Sequence, residues 1–299
     1  MRLEKKATVV STSVATLLVL IKLTVGILSG SVAILASAID SLLDLTVSLF
    51  NYFALHKAEQ DPDEKFHFGK SKLEPLAAVI EGTIISMSAL FILYEALIKI
   101  THPQKIEMLT ESMGVMIASI AITALLVAFL NYVANKTNNM VIKADALHYK
   151  TDLFSNSAVL IAIAAVYYTG ITLIDPILGI FISIYMIYSA FPILKEGILM
   201  LLDVAIPQEE IDMIEEILKN EKDINGYHYL KTRAAGSNVF ISVHIVLTPD
   251  IKLYDAHLIG DKIEAKIREA FKKIEKKAHV LIHLDPYDDT QINEEEDFF

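Results

Sequence analysis

Long apolar runs alternate with short polar joints from the N-terminus to about residue 203, and the pattern then changes to that of a water-soluble domain. Six stretches are long enough to cross a hydrocarbon layer as helices: about 7–29, 32–56, 76–100, 112–135, 142–168 and 172–200. Gly30 and Gly170 mark tight joints between spans one and two and between spans five and six; another short joint runs from His102–Pro103 to Glu111. After Pro207 the periodicity becomes mixed. An amphipathic helix reaches about Asn220, with Ile211, Ile214, Ile217 and Leu218 as its apolar stripe. An alternating run follows at Gly226–Arg233, then a turn at Gly236–Asn238 and a strand at Val239–Leu247. A second helix, Tyr254–Lys276, and a short strand, Val280–Leu284, complete an αββαβ order. The expected fold is a membrane α-helical bundle of six transmembrane helices plus a small C-terminal α+β domain with helices on one face of a sheet. The expected boundaries are 1–205 for the membrane domain, 206–290 for the soluble domain and 291–299 for a disordered tail.

Composition agrees with this division. Hydrophobic residues make up 54% of the 299, more than an ordinary soluble protein of this length carries. The apolar run from Ala7 to about Leu28 exceeds a secretory h-region and is followed at once by another span, so it reads as a retained helix. Lys105 is the basic residue of one set of joints, whereas Arg2, Lys5, Lys6, Lys57, Lys65, Lys70, Lys72, Lys136 and Lys143 flank the other side. By the positive-inside rule both termini, and hence the soluble domain, face the cytoplasm, which makes the chain a multi-pass protein of the cytoplasmic (inner) membrane.

Charge and cysteine usage exclude several function classes. The net charge is −11, and 12 basic and 20 acidic residues lie within 206–299, which leaves no basic footprint for nucleic acid. Cysteine is absent, so thiolate ligation of copper(I) or an iron–sulfur cluster is excluded.

Inside the apolar runs two ionisable pairs stand out. Asp40/Asp44 in span two and His148/Asp152 in span five are each spaced i,i+4, which puts both side chains of a pair on one helix face. A charged group at this depth costs roughly 2.5–3.5 kcal/mol on insertion scales, so each needs a partner. Asp40 lies about nine residues into its span, roughly 13 Å at the rise of a helix, near the middle of the layer. Three carboxylates and an imidazole form a ligand set suited to a divalent cation such as zinc. Four protein ligands fill a tetrahedral shell and leave no open position for an activated water. This fits holding and moving an ion better than hydrolysis, and no HExxH motif is present. A divalent cation would displace the proton from the imidazole, which makes exchange of metal for proton chemically natural.

Two further groups are candidates. In the soluble domain His228, His244, His257, His279 and His283 are crowded into 56 residues. His283 and Asp285 share a strand face, and His279, at the strand's edge, is set aside, leaving the others with Asp285 as a candidate metal site. In the loop after span two, Asp61, Asp63, Glu64 and His67 could bind a cation, although a solvated cytoplasmic loop accounts for them better.

SAIDSLLD (37–44), FGKSKLEPLAAVIEG (68–82), ADALHYKTDLFSN (144–156) and LIDPILG (173–179) resemble the cation diffusion facilitator family, from span one to Pro286. GYHYLKTR, SVHIV, DAH and IHLDP in the soluble domain are similar to bacterial zinc exporters of the ferrous-iron-efflux type. The resemblance implies a homodimeric metal–proton antiporter in a lipid bilayer, with a cytosolic metal-sensing domain. It implies that Asp40, Asp44, His148 and Asp152 form the transport site, and that His228, His244, His257, His283 and Asp285 form a binuclear site at a tail–tail interface. It also implies that Lys72 and Asp203 interlock the membrane halves through a salt bridge. Two loop positions where such exporters have histidines carry Phe66 and Lys70 here, Asp63 matches, and His67 is displaced by one. Tyr229 replaces the aspartate that follows the first tail histidine.

The expected function is export of a divalent metal, foremost Zn2+ with Cd2+ or Fe2+ as companions, by proton antiport. Mn2+, Co2+ or Ni2+ as cargo is one alternative. A non-transporting membrane metal sensor or scaffold is another, although such a protein would not need an intact intramembrane quartet.

Overall fold

The computed structural model describes residues 3–30, 32–101, 110–169, 171 and 173–288. The joint at Gly170, the stretch from His102–Pro103 through residue 109 with Lys105, Arg2, and the expected disordered tail at 291–299 all lie outside the described residues. The chain forms two compact units, Met1–Ile198 and a second beginning at Leu199.

Six long helices make up the first unit and its continuation: α1 (Leu3–Ser29), α2 (Val32–Ala58), α3 (Leu73–Thr101), α4 (Thr110–Thr137), α5 (Met140–Thr169) and α6 (Ile174–Leu201). Among the described residues five helices are long and apolar enough to cross a membrane. The sixth, α5, matches them in length but carries Lys143, Asp145, His148, Lys150 and Asp152 in its first half. Leu17, Leu20, Ile27, Leu28, Phe91, Leu125, Phe181 and Tyr188 are exposed, as expected of a face that meets lipid.

Where lipid replaces water there is little hydrophobic force between helices, so close packing must come from small residues. The buried stripe of α1 follows that rule: Ala7, Thr8, Ser11, Ala15, Leu18, Val19, Lys22 and Gly26 recur at helical spacing. On α3 the stripe is Ala77, Ala78, Glu81, Gly82, Ile85, Ala89 and Ala96. Gly197 of α6 comes so near α3 that a Cβ there would sit 2.6 Å from Val79 Cγ2.

Local sequence sets the register of α5. Asn138 adopts a left-handed φ of 52° that ends α4. Asn139 then caps α5, its Oδ1 accepting from the Ile142 N–H at 3.1 Å. Gly30 plays the corresponding part after α1, with φ +66°.

In the second unit α7 (Gln208–Lys219), β1 (Gly226–Ala235), β2 (Asn238–Val246), α8 (Leu253–Lys273) and β3 (Lys277–Asp285) give the order αββαβ. β1 and β2 form an antiparallel hairpin, and β3 joins β2 in parallel after the α8 crossover. Ile214 and Leu218 of α7, Val239, Ile241, Val243 and Ile245 of β2, and Ile263, Ile267 and Phe271 of α8 make the core. β3 begins three residues earlier than the pattern predicts. The reason is that Glu275 takes a φ of 60° and the Lys276 N–H bonds back to Phe271 O, closing α8 by Lys273.

Candidate metal centres

The first centre lies where α2 meets α5. Asp44 and Ser48 are one turn apart on α2, and Ser48 Oγ is 2.7 Å from the buried Tyr149 hydroxyl, which pins the two helices in register. That register brings His148 Nε2 to 3.3 Å from Asp44 Oδ1 and 3.6 Å from Asp152 Oδ2. One ligand atom from each of Asp44, His148 and Asp152 falls within 4.8 Å of the others, close enough to share one ion. Asp40, one turn before Asp44, is exposed and stands outside this group, although its charge reaches Lys22 and Asp152. The structure therefore assembles three members of the expected quartet directly and leaves the fourth beside them.

Sequence reading missed Lys22. This buried α1 residue donates to Ser41 Oγ at 2.8 Å, and its ammonium interacts with Asp44, Asp152 and Asp40. A lysine placed here offsets part of the negative charge gathered around it. The signal was available: a lysine midway along an apolar run is as costly as an aspartate. Glu81 and Asp145 were also missed. Both are buried within the helices and share the Asn51 amide.

The second centre is on the sheet face opposite α7 and α8. His228, His244 and His283 are register partners across β1, β2 and β3, so three imidazoles form a row. A bulge between His228 and Lys231, with Tyr229 at φ 49°, interrupts β1 beside His228. Asp285 lies under the row. Its Oδ2 is 2.9 Å from His244 Nδ1 and 3.2 Å from His228 Nε2, and its Oδ1 is 3.1 Å from His283 Nε2. His228, His244 and Asp285 offer ligand atoms within 4.8 Å of one another. His257 is not brought into this group; it is exposed on α8 and pairs with Asp261 one turn on, at 3.6 Å.

The loop candidate is occupied by local bonding. Asp63 Oδ1 accepts from the N–H groups of Lys65 and Phe66, and its Oδ2 pairs with Lys70 Nζ at 2.5 Å. The Lys70 hydrogen bond and then that of Phe66 hold the Asp63 carboxyl below its ordinary range. His67 Nε2 is 3.0 Å from the Glu64 carbonyl oxygen. Asp63 is thereby a turn-forming carboxylate neutralised by the lysine that stands at one of the two histidine positions. As for the expected interlock, Asp203 lies 3.2 Å from Arg233 Nη1 in the second unit. Lys72 lies in the turn just ahead of α3 in the first.

Known proteins match this architecture along almost its whole length. Residues 8–202 match the family described as the cation efflux transmembrane domain, and residues 206–287 match the cation efflux protein, cytoplasmic domain. The chain belongs to the cation efflux, or cation diffusion facilitator, family. Protein p34 of Rickettsia rickettsii is 35% identical over 286 residues, covering 96% of this chain and 93% of that protein. The cation-efflux pump FieF of Pectobacterium atrosepticum is 36% identical over 285 residues, covering 95% and 93%. FieF of Cronobacter sakazakii is 35% identical with the same coverage. This family member is accordingly a multi-pass membrane cation-efflux transporter and not an enzyme.

Proposed function

We propose that this protein exports zinc from the cytoplasm in exchange for protons, with Asp44, His148 and Asp152 holding the ion and Asp40 joining them when it binds. The observation that carries the reading is the convergence of two carboxylates and an imidazole from α2 and α5 within 4.8 Å, inside helices of an efflux family. Zinc is favoured over manganese because an imidazole is a poor addition to a site for an oxygen-seeking ion, while Cd2+ and Fe2+ remain chemically close companions. His148 stands between two carboxylates, so an arriving divalent cation displaces a proton from it, and a returning proton weakens the metal's hold. The bundle would present this fixed site alternately to the two sides.

The histidine row with Asp285 fits a cytosolic zinc sensor. Zinc there would favour one arrangement of a homodimer, provided that arrangement binds zinc more tightly. In this reading both termini face the cytoplasm across the inner membrane, and Lys72 and Asp203 brace the dimer. The test is zinc uptake into proteoliposomes under an imposed pH gradient, for the wild type beside Asp44→Ala and His148→Ala. Gradient-driven flux in the wild type alone is expected. Equal flux in all three would overturn the site, and flux indifferent to the gradient would overturn the antiport.

A further inference from the structure

One turn along α5 from the transport site is a second, wholly buried polar group. Glu81 of α3 is 1% exposed, and Asp145 of α5 and Asn51 of α2 are fully buried. Asn51 Nδ2 donates to Glu81 Oε2 at 2.9 Å and lies 3.4 Å from Asp145 Oδ1, so a single amide spends both its hydrogens on two carboxyls. Ser11 of α1 adds a hydroxyl contact to Asp145. Even so Glu81 Oε1, Asp145 Oδ2 and Asn51 Oδ1 are each buried with no hydrogen-bond partner. Among the described residues this cluster thus holds three orphan acceptors, and both Asn51 amide hydrogens are already committed. The charged groups that face this pair are His148 and Asp152, both on α5.

Such a cluster lacks a cation. Two full negative charges with unfilled oxygens are too costly in a dry interior. A hard divalent ion would satisfy the charge, but it takes about six or more oxygens, and only three are free. One proton suffices: it leaves a single net charge, and the protonated carboxyl becomes an O–H donor to one of the orphan oxygens. We propose that Glu81 and Asp145 form a proton station, sharing one proton close to the transport site and handing it on during the transport cycle. The proposal rests on the antiport reading given above and adds to it where a proton resides. Asp145 precedes His148 by only three residues, about 4.5 Å of helix rise, so the station is near the zinc ligands without being one of them.

The experiment is infrared spectroscopy of the full-length reconstituted protein without metal at neutral pH, paired with gradient-driven zinc flux. A carbonyl band of a protonated carboxyl is expected in the wild type. It should be lost in Glu81→Gln, shifted or lost in Asp145→Asn, and unchanged in Asp44→Ala. Glu81→Gln, isosteric with the protonated acid, is expected to keep zinc binding while its flux no longer accelerates with the gradient. A wild type without the band, or a band indifferent to both station variants, overturns the station even if antiport holds. So does a Glu81→Gln flux that follows the gradient as the wild type does. A zinc stoichiometry that falls by one in Glu81→Gln would make the cluster a metal site and overturn the proton assignment. Wild-type flux indifferent to the gradient, with the band present, overturns the antiport and with it the relay role.

Discussion

The bond between Ser48 and Tyr149 can be tested quantitatively, because it joins the two helices that carry the proposed zinc ligands. Ser48 follows Asp44 by one turn, Tyr149 is the neighbour of His148, and both side chains are buried at 0–1% exposure with 2.7 Å between their oxygens. Tyr149→Phe keeps the ring against Leu126, Leu130 and Ala146 and removes only the hydroxyl. Hydrogen bonds between membrane helices average about 0.6 kcal/mol and reach about 1.7. Burial this complete places the pair in the upper part of that range, at about 1–1.7 kcal/mol, because neither hydroxyl has water to fall back on. Each single variant, Tyr149→Phe or Ser48→Ala, should lower the unfolding free energy in mixed micelles by about that amount. The double variant should cost little more than either single, since one bond is lost only once. If the constraint is fully carried into ligand placement, zinc affinity measured by chelator competition falls roughly 5- to 20-fold. Strictly additive losses in the double variant would refute the coupling, and unchanged affinity would show that the ligands are positioned by other contacts.

Other consequences can be checked more briefly. Glu221 accepts from Lys262 at 2.7 Å and Lys266 at 2.6 Å, and these hydrogen bonds hold its carboxyl down to about 2, from 4.5. A depressed carboxyl contributes stability that is complete above pH 4.5 and disappears as the pH falls toward 2, so acid unfolding followed by circular dichroism should cost the wild type more than Glu221→Gln in that window. Gly197→Ala drives a methyl against Val79 Cγ2 and the Pro75 carbonyl oxygen, and should destabilise the α3–α6 packing by about 1–3 kcal/mol in a detergent melt. Gly114→Ala, with open space around it, should show no such loss. Asp63→Asn should leave zinc stoichiometry unchanged in equilibrium dialysis, because that carboxylate already serves Lys70 and its own turn; a lost zinc would revive the loop site.

Periodicity and intramembrane charge made much of this protein legible before any coordinates. The apolar runs fixed the helices to within a few residues because a bilayer tolerates only long self-satisfied segments, and αββαβ followed from the change of period after Pro207. The i,i+4 pairs marked the proposed transport site, since their cost in hydrocarbon demands a partner. Lys22, Glu81 and Asp145 obeyed the same rule and were passed over because each stands without an i,i+4 partner; their meaning lies in neighbours from other helices.

Only the tertiary structure decided which groups meet. Spacing along one helix places two side chains on a face but says nothing of the angle at which another helix arrives, so Asp44 converges with His148 and Asp152 while Asp40 stands aside. Histidines dispersed over 56 residues become one row because strand register, set by the β1 bulge and the α8 crossover, aligns His228, His244 and His283 over Asp285. His257 is excluded because α8 packs on the other face. Local sequence chose the elements and the costly residues; long-range packing, which local sequence does not encode, chose their partners.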